Sequence, residues 1–143
     1  MPYSLNIHIE AWPLAGAFRI SRGTRKVSDV LMVEVNDGNY VGRGECFPYA
    51  RYGEDIDSVQ KQLNSVRSEI EHGLDRQALL NVLAPGAARN AVDCALWDLE
   101  AKRAGERVWD LAEFPAPDAV TTASTLGVDE RAVMGGRARE TAE

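Results

Sequence analysis

From Leu5 to Ala11 (Leu5-Asn6-Ile7-His8-Ile9-Glu10-Ala11) apolar and polar side chains alternate, the period of a strand with one buried face. A β-branched-rich run over residues 30–35 leads into the turn residues Asn36-Asp37-Gly38-Asn39, and a second run, Tyr40-Val41-Gly42-Arg43-Gly44-Glu45, follows. That predicts a hairpin, and with the first strand an antiparallel three-stranded meander. The period then lengthens: Ile56, Val59, Leu63, Val66 and Ile70 recur every three or four residues and share one helical face, with Gly73 as the terminating residue. Asp75 is placed to cap a short helix carrying Leu79, Leu80 and Leu83, which Pro85-Gly86 stops. From Ala87 to Ala104 a longer helix carries Ala88, Ala91, Val92, Ala95, Leu96 and Leu99 on one stripe, small enough for close packing. Arg89/Asp93 and Asp98/Lys102 are spaced as i,i+4 pairs, and Gly105 closes this helix. Strands followed by helices predict an α+β unit with the helices covering one face of the sheet.

The pattern changes again after Glu113-Phe114-Pro115-Ala116-Pro117, which sets a boundary between residues 1–117 and 118–143. Val120 to Thr125 reads as a strand, and Asp129 as the cap of a helix running to the end. One strand and one helix bury too little surface to stand alone, so this second unit is expected to be incomplete within the 143 residues. A formal net charge of −6 removes the basic stripe that a nucleic-acid partner requires. No window approaches the roughly 18 apolar residues that span a bilayer, and the first residues lack a basic region followed by an apolar run. A cytoplasmic protein without membrane or nucleic-acid partners is expected. Cys46 and Cys94, far apart and without metal-ligand spacing, are expected to be buried free thiols. Trp12, Trp97 and the Ala-rich helix are assigned to the core, and neither His8 nor His72 has a catalytic partner nearby in sequence.

Four segments carry the candidate chemistry: Ala11-Trp12-Pro13-Leu14; Ile20-Ser21-Arg22-Gly23-Thr24-Arg25; the stretch from Gly42 through Gly44-Glu45-Cys46-Phe47-Pro48-Tyr49 to Glu54; and the helix from Gly86 to Leu99. In this order and spacing they resemble the N-terminal domain of the alanine-glutamate dipeptide epimerases, in the muconate-lactonizing subgroup of the enolase superfamily. The resemblance runs from about Ile7 to Thr125. The Gly-x-Gly-Glu hairpin is shared widely in that superfamily, whereas the helix over residues 88–102 is much more specific to the subgroup. The resemblance implies an α+β capping domain leading into a truncated (β/α)-barrel, with two cap loops, residues 18–26 and 47–56, closing over the substrate.

A dipeptide ending in Glu or Asp carries two carboxylates, and an Arg fork suits one of them. Arg25 stands at the position that the resemblance gives to the ligand of the side-chain carboxylate, and Arg22 nearby is an alternative that holds the loop instead. Without the motif, Arg19, Arg22, Arg25 and Lys26 read as a solvated basic turn. Tyr52 divides evenly between lid and packing, Ile56 also fits the helical stripe, and Phe18 either lines a pocket or closes the core. Thr125 matches the end of the first barrel strand and completes the substrate-binding set. The resemblance further implies a Mg²⁺-dependent epimerisation through an enediolate, with two catalytic Lys and the carboxylate ligands of the metal on later barrel strands. A full barrel takes about 250 residues. Hence no catalytic residue and no metal ligand is expected among these residues; Lys26, Lys61 and Lys102 all fall in cap segments, and the isolated chain is predicted to be inactive. The partners expected are a small acidic dipeptide, the missing barrel segment or a complementary chain, and further copies in a homo-oligomer. Two other readings keep the fold: a non-catalytic binding or assembly module using the exposed apolar face, and the cap of a cycloisomerase or acylamino-acid racemase.

Overall fold

The computed structural model describes residues 3–21, 23–123 and 125–141. Strands Ser4–Ile20 (β1), Gly23–Asn36 (β2) and Val41–Cys46 (β3) form a three-stranded sheet in the order β1-β2-β3, with β2 and β3 antiparallel and Val33 opposite Gly44. Helices Ile56–Ser65 (α1), Arg67–Glu71 (α2), Arg76–Val82 (α3), Ala87–Ala104 (α4), Val108–Leu111 (α5) and Arg131–Glu140 (α6) follow. The predicted α+β order of strands then helices is the order observed. The residues fall into two compact units, one made of Met1–Ala11 with Asp29–Ala116, the other of Trp12–Ser28 with Pro117–Glu143.

The core belongs to the first unit. Leu31, Val33 and Val35 alternate inward from β2 and meet Val59 and Leu63 of α1, Ile70 of α2, Leu79 of α3 and the stripe Ala88, Ala91, Val92, Ala95, Leu96 and Leu99 of α4. α4 lies unusually close to β3. A Cβ built on Gly42 would stand 2.0 Å from the carbonyl oxygen of Ala95, and one on Gly44 would stand 2.0 Å from that of Ala91. Glycine on the strand and alanine on the helix together permit this approach.

A polar row on α4 also occupies β3, the edge strand. Lys102 Nζ donates to the Val41 carbonyl at 2.7 Å, Arg43 N donates to Asp98 Oδ2 at 2.8 Å, and Asn90 Nδ2 donates to the Glu45 carbonyl at 3.3 Å. Backbone groups that would otherwise template another strand are thereby engaged. Asp98 and Lys102 also close their i,i+4 pair at 2.6 Å.

The helix caps follow the chain chemistry. Asp75 accepts from Ala78 N at 2.7 Å and starts α3. Asp55 and Ser58 form a reciprocal capping box at the start of α1, and the Ser58 amide on Asp55 holds that carboxyl below the usual range. Gly73 and Gly105 sit at φ 92° and 68°, left-handed values that a glycine adopts at little cost where a helix ends.

Several expectations are corrected. The first strand was expected over residues 5–11 and a loop over residues 18–26; instead β1 continues to Ile20 and β2 begins at Gly23, so most of that segment is ribbon. This part of the ribbon is exposed along its length, so no alternation of apolar and polar residues announces it; main-chain pairing satisfies it instead. The helix expected from Ile56 to Ile70 is two helices hinged at Val66, whose φ of −110° leaves the helical range, although Val59, Leu63, Val66 and Ile70 are still buried together. The described residues of 120–125 carry no strand, because no ladder partner pairs with them. Asp129 stands one position before the cap of α6, which is Glu130, and pairs with Arg137 at 3.4 Å. Trp12, expected in the core, is 43% exposed on the ribbon. Trp97 is half-buried under the Arg76 guanidinium, 3.4 Å from the ring centroid, while Arg76 also pairs with Glu100 at 2.8 Å.

Cys46 is buried as expected, but Cys94 is exposed, lying on the side of α4 away from the stripe. Burial, reinforced by Glu54, pushes the Cys46 thiol up to about 11, while the partial desolvation that remains at the exposed Cys94, with the Asp93 carboxylate beside it, raises that thiol too. Iodoacetamide at neutral pH should therefore add one group to the folded chain, slowly and at Cys94, and a second only after denaturation. Intact mass and peptide mapping check this; two groups added under native conditions would contradict the burial of Cys46.

Candidate functional site

In the second unit the ribbon and the C-terminal segment enclose a hollow of about 450 Å³. Leu14, Ala17 and Phe18 give it an apolar wall from β1, Arg25 stands on β2, and Thr125 and Arg137 come from the segment after Pro117. The amide of Val128 donates to the Arg19 carbonyl at 2.8 Å, which fastens the stretch after Thr125 to the ribbon. At the ribbon tip Arg19 Nε donates to Thr24 Oγ1 at 3.4 Å. The hollow carries two guanidinium groups, and there is no carboxylate among its described lining residues. An open pocket with an apolar wall and two guanidinium groups, Arg137 also being paired with Asp129 at 3.4 Å, suits a small anion with an aliphatic part.

Three of the five candidate residues, Phe18, Arg25 and Thr125, thus line one hollow. Phe18 is 41% exposed and so is a pocket-wall residue, outside the core cluster. Arg22, read as holding the loop, lies outside the described residues. Tyr52 and Ile56 belong to the first unit. Tyr52 ends a 3₁₀ turn, Ala50–Tyr52, is 77% exposed, and stands 5.7 Å from the Tyr49 ring, which is 6.1 Å from that of Phe47. Ile56 opens α1, is half-buried, and packs on the core cluster. Arg137 was not among the expected residues. It lies on a helix with a weak apolar pattern, and only the folded chain places it on the same hollow as Arg25.

Among the described residues no group of three or more His, Cys, Asp or Glu side chains is arranged to hold a metal ion. Among the same residues no helix is long and apolar enough to cross a membrane.

A short antiparallel sheet followed by helices that pack on it defines an α+β domain. Residues 3–112 match the mandelate racemase / muconate lactonizing enzyme, N-terminal domain, and the chain belongs to that family. It is 46% identical over 123 residues to the L-Ala-D/L-Glu epimerase of Escherichia coli, a match covering 86% of this chain and 38% of that protein. Its fold superposes with a TM-score of 0.90 on an enolase family member from Agrobacterium tumefaciens with homology to dipeptide epimerases, bound to sodium and L-Ala-L-Glu. The two are 44% identical over 99% of this chain and 43% of the other. A dipeptide epimerase from Enterococcus faecalis, complexed with Mg and L-Leu-L-Tyr, superposes with a TM-score of 0.82 at 26% identity, over 99% of this chain and 43% of its own. The chain thus spans about two-fifths of the length of the relatives it matches.

Proposed function

We propose that the chain supplies the substrate-selecting cap of a dipeptide epimerase, with residues 1–117 as the cap and 118–143 as the opening of the barrel. The observation that carries this reading is the placement of Arg25 with Phe18 and Thr125 on one hollow, in a chain 44% identical to a protein bound to L-Ala-L-Glu. Arg25 takes the side-chain carboxylate of an Ala-Glu-like dipeptide through paired N–H donors, Phe18 covers its aliphatic part, and Thr125 offers a hydroxyl. Tyr52 and Ile56 are proposed as further substrate-binding residues, Tyr52 through its exposed ring; the core packing of Ile56 makes it the weaker of the two.

The reaction is inversion at the α-carbon of the C-terminal residue. Removing that proton leaves an enediolate-like anion, which needs positioned electrophiles around it. The bases and the Mg²⁺ that would meet this need are assigned to barrel residues outside this chain. What the cap contributes is a fixed cation for the distal carboxylate and a wall that keeps water away, so binding energy remote from the reacting carbon goes into orientation.

The test joins residues 1–143 to the remaining length of the Escherichia coli relative and incubates the hybrid with L-Ala-L-Glu and Mg²⁺ in deuterium oxide. Deuterium is expected at the glutamate α-carbon. A folded hybrid that binds Mg²⁺ and leaves that position fully protonated removes the epimerase reading.

A further inference from the structure

The segment that carries Tyr52 ends on a contact which the proposed chemistry does not use. Glu54 Oε1 accepts the backbone N–H of Ala87 at 2.7 Å. Ala87 is the first residue of α4, and the helix's own cap position is Gly86, which has no side chain to offer. One of the orphan amides of the first turn is therefore satisfied by a carboxylate from 33 residues upstream, at the end of the helix where negative charge is favoured. The seat is shaped for it: a Cβ on Gly86 would come within 2.7 Å of the same Glu54 oxygen. α4 is a firm anchor, since seven of its residues are buried.

The neighbours of Glu54 explain what the contact does. Gly53 takes a left-handed φ of 74° and turns the chain between Tyr52 and Glu54. Asp55, next along, is held by its capping box at the start of α1. Upstream, Cys46 is buried at the end of β3. Between these fixed points residues 47–53 carry the rings of Phe47, Tyr49 and Tyr52, and Tyr52 N donates a hydrogen bond to the Tyr49 carbonyl at 2.8 Å and Gly53 N to the Ala50 carbonyl at 3.0 Å. Tyr52 is too exposed for packing to hold it. We infer that Glu54 is a positioning residue: by capping α4 it fixes the downstream end of the aromatic loop and so sets where the Tyr52 ring stands. The part of this inference that concerns substrate rests on the epimerase reading; the anchoring itself does not.

Amide hydrogen exchange on the 143-residue chain tests the anchor directly. In Glu54→Ala the amides of Ala87, Tyr52 and Gly53 should exchange about tenfold faster, the scale of one lost charge-assisted hydrogen bond, while the amides of Val92 to Leu99 keep their rates. Glu54→Gln, which retains a carbonyl acceptor, should recover most of the protection. Unchanged rates at Tyr52 and Gly53 in Glu54→Ala, or a Gln variant as loose as the Ala variant, overturn the inference. In the hybrid enzyme the same Ala substitution should raise KM for L-Ala-L-Glu by about tenfold with kcat little changed, and Gln should restore it. A fall in kcat alone would show that Glu54 does not act through the loop. A hybrid that is inactive with Glu54 intact defeats the epimerase reading and leaves the exchange result to decide the anchor.

Discussion

Gly44→Ala is expected to destabilise the chain by about 3 kcal/mol or more, at the upper end of what inserting a methyl group into a filled core costs. The added Cβ would sit 2.0 Å from the Ala91 carbonyl oxygen and 2.8 Å from the Ala95 amide. Both are main-chain atoms inside an 18-residue helix, so no side chain can rotate away, and α4 must shift as a body from the sheet. That shift would open the contacts of Ala91 and Ala95 with β3 and strain the Asn90, Asp98 and Lys102 bonds to its edge. Gly42→Ala should behave alike, since its Cβ would meet the Ala95 carbonyl at 2.0 Å and the Leu99 Cβ at 2.6 Å. Gly135→Ala is the contrasting case: it lies in α6 with nothing within 4 Å of the new atom, and should change stability by no more than about 1 kcal/mol. Urea unfolding followed by circular dichroism measures all three. A loss below about 1 kcal/mol for Gly44→Ala would mean that α4 is not seated on the strand at this distance.

Arg25→Gln is expected to lower kcat/KM of the hybrid enzyme for L-Ala-L-Glu roughly a hundredfold, the range set by losing a paired, charge-assisted contact to a carboxylate. For L-Ala-L-Ala, which has no side-chain carboxylate, the same substitution should change kcat/KM less than about threefold. Arg25→Lys should fall between, because an ammonium keeps the charge and loses the fork. The comparison separates recognition from folding: a damaged ribbon would slow both substrates alike. Equal losses for the acidic and the neutral dipeptide would remove Arg25 from its role as the selecting cation.

Much of the first unit was legible along the chain because its signals are local. The turn Asn36 to Asn39, the cap Asp75, the terminators Gly73 and Gly105 and the apolar period of α4 each act on neighbours within a few residues, and each appears in the fold where the sequence puts it. Of the candidate site, Arg25, Phe18 and Thr125 came from motif and resemblance, and they line one hollow. Where the chain misled, the deciding contact was distant or missing. Among the described residues of the ribbon from Trp12 to Ser28 none is buried, so only strand pairing defines it; residues 120–123 have strand composition but no partner. Cys94 is exposed because it lies off the stripe Ala88, Ala91, Val92, Ala95, Leu96 and Leu99, so the helical period and not the residue type decided it.

The sequence by itself determined the α+β order, the Asp75 cap, the glycine terminators Gly73 and Gly105 and the family, because periodicity and short-range hydrogen bonding are written in adjacent residues. Only the tertiary structure decided that Arg137 shares a hollow with Arg25, that Glu54 caps a helix 33 residues away, and that Gly42 and Gly44 are irreplaceable seats. Those are contacts between segments far apart in the chain, and their geometry exists only after the core has closed.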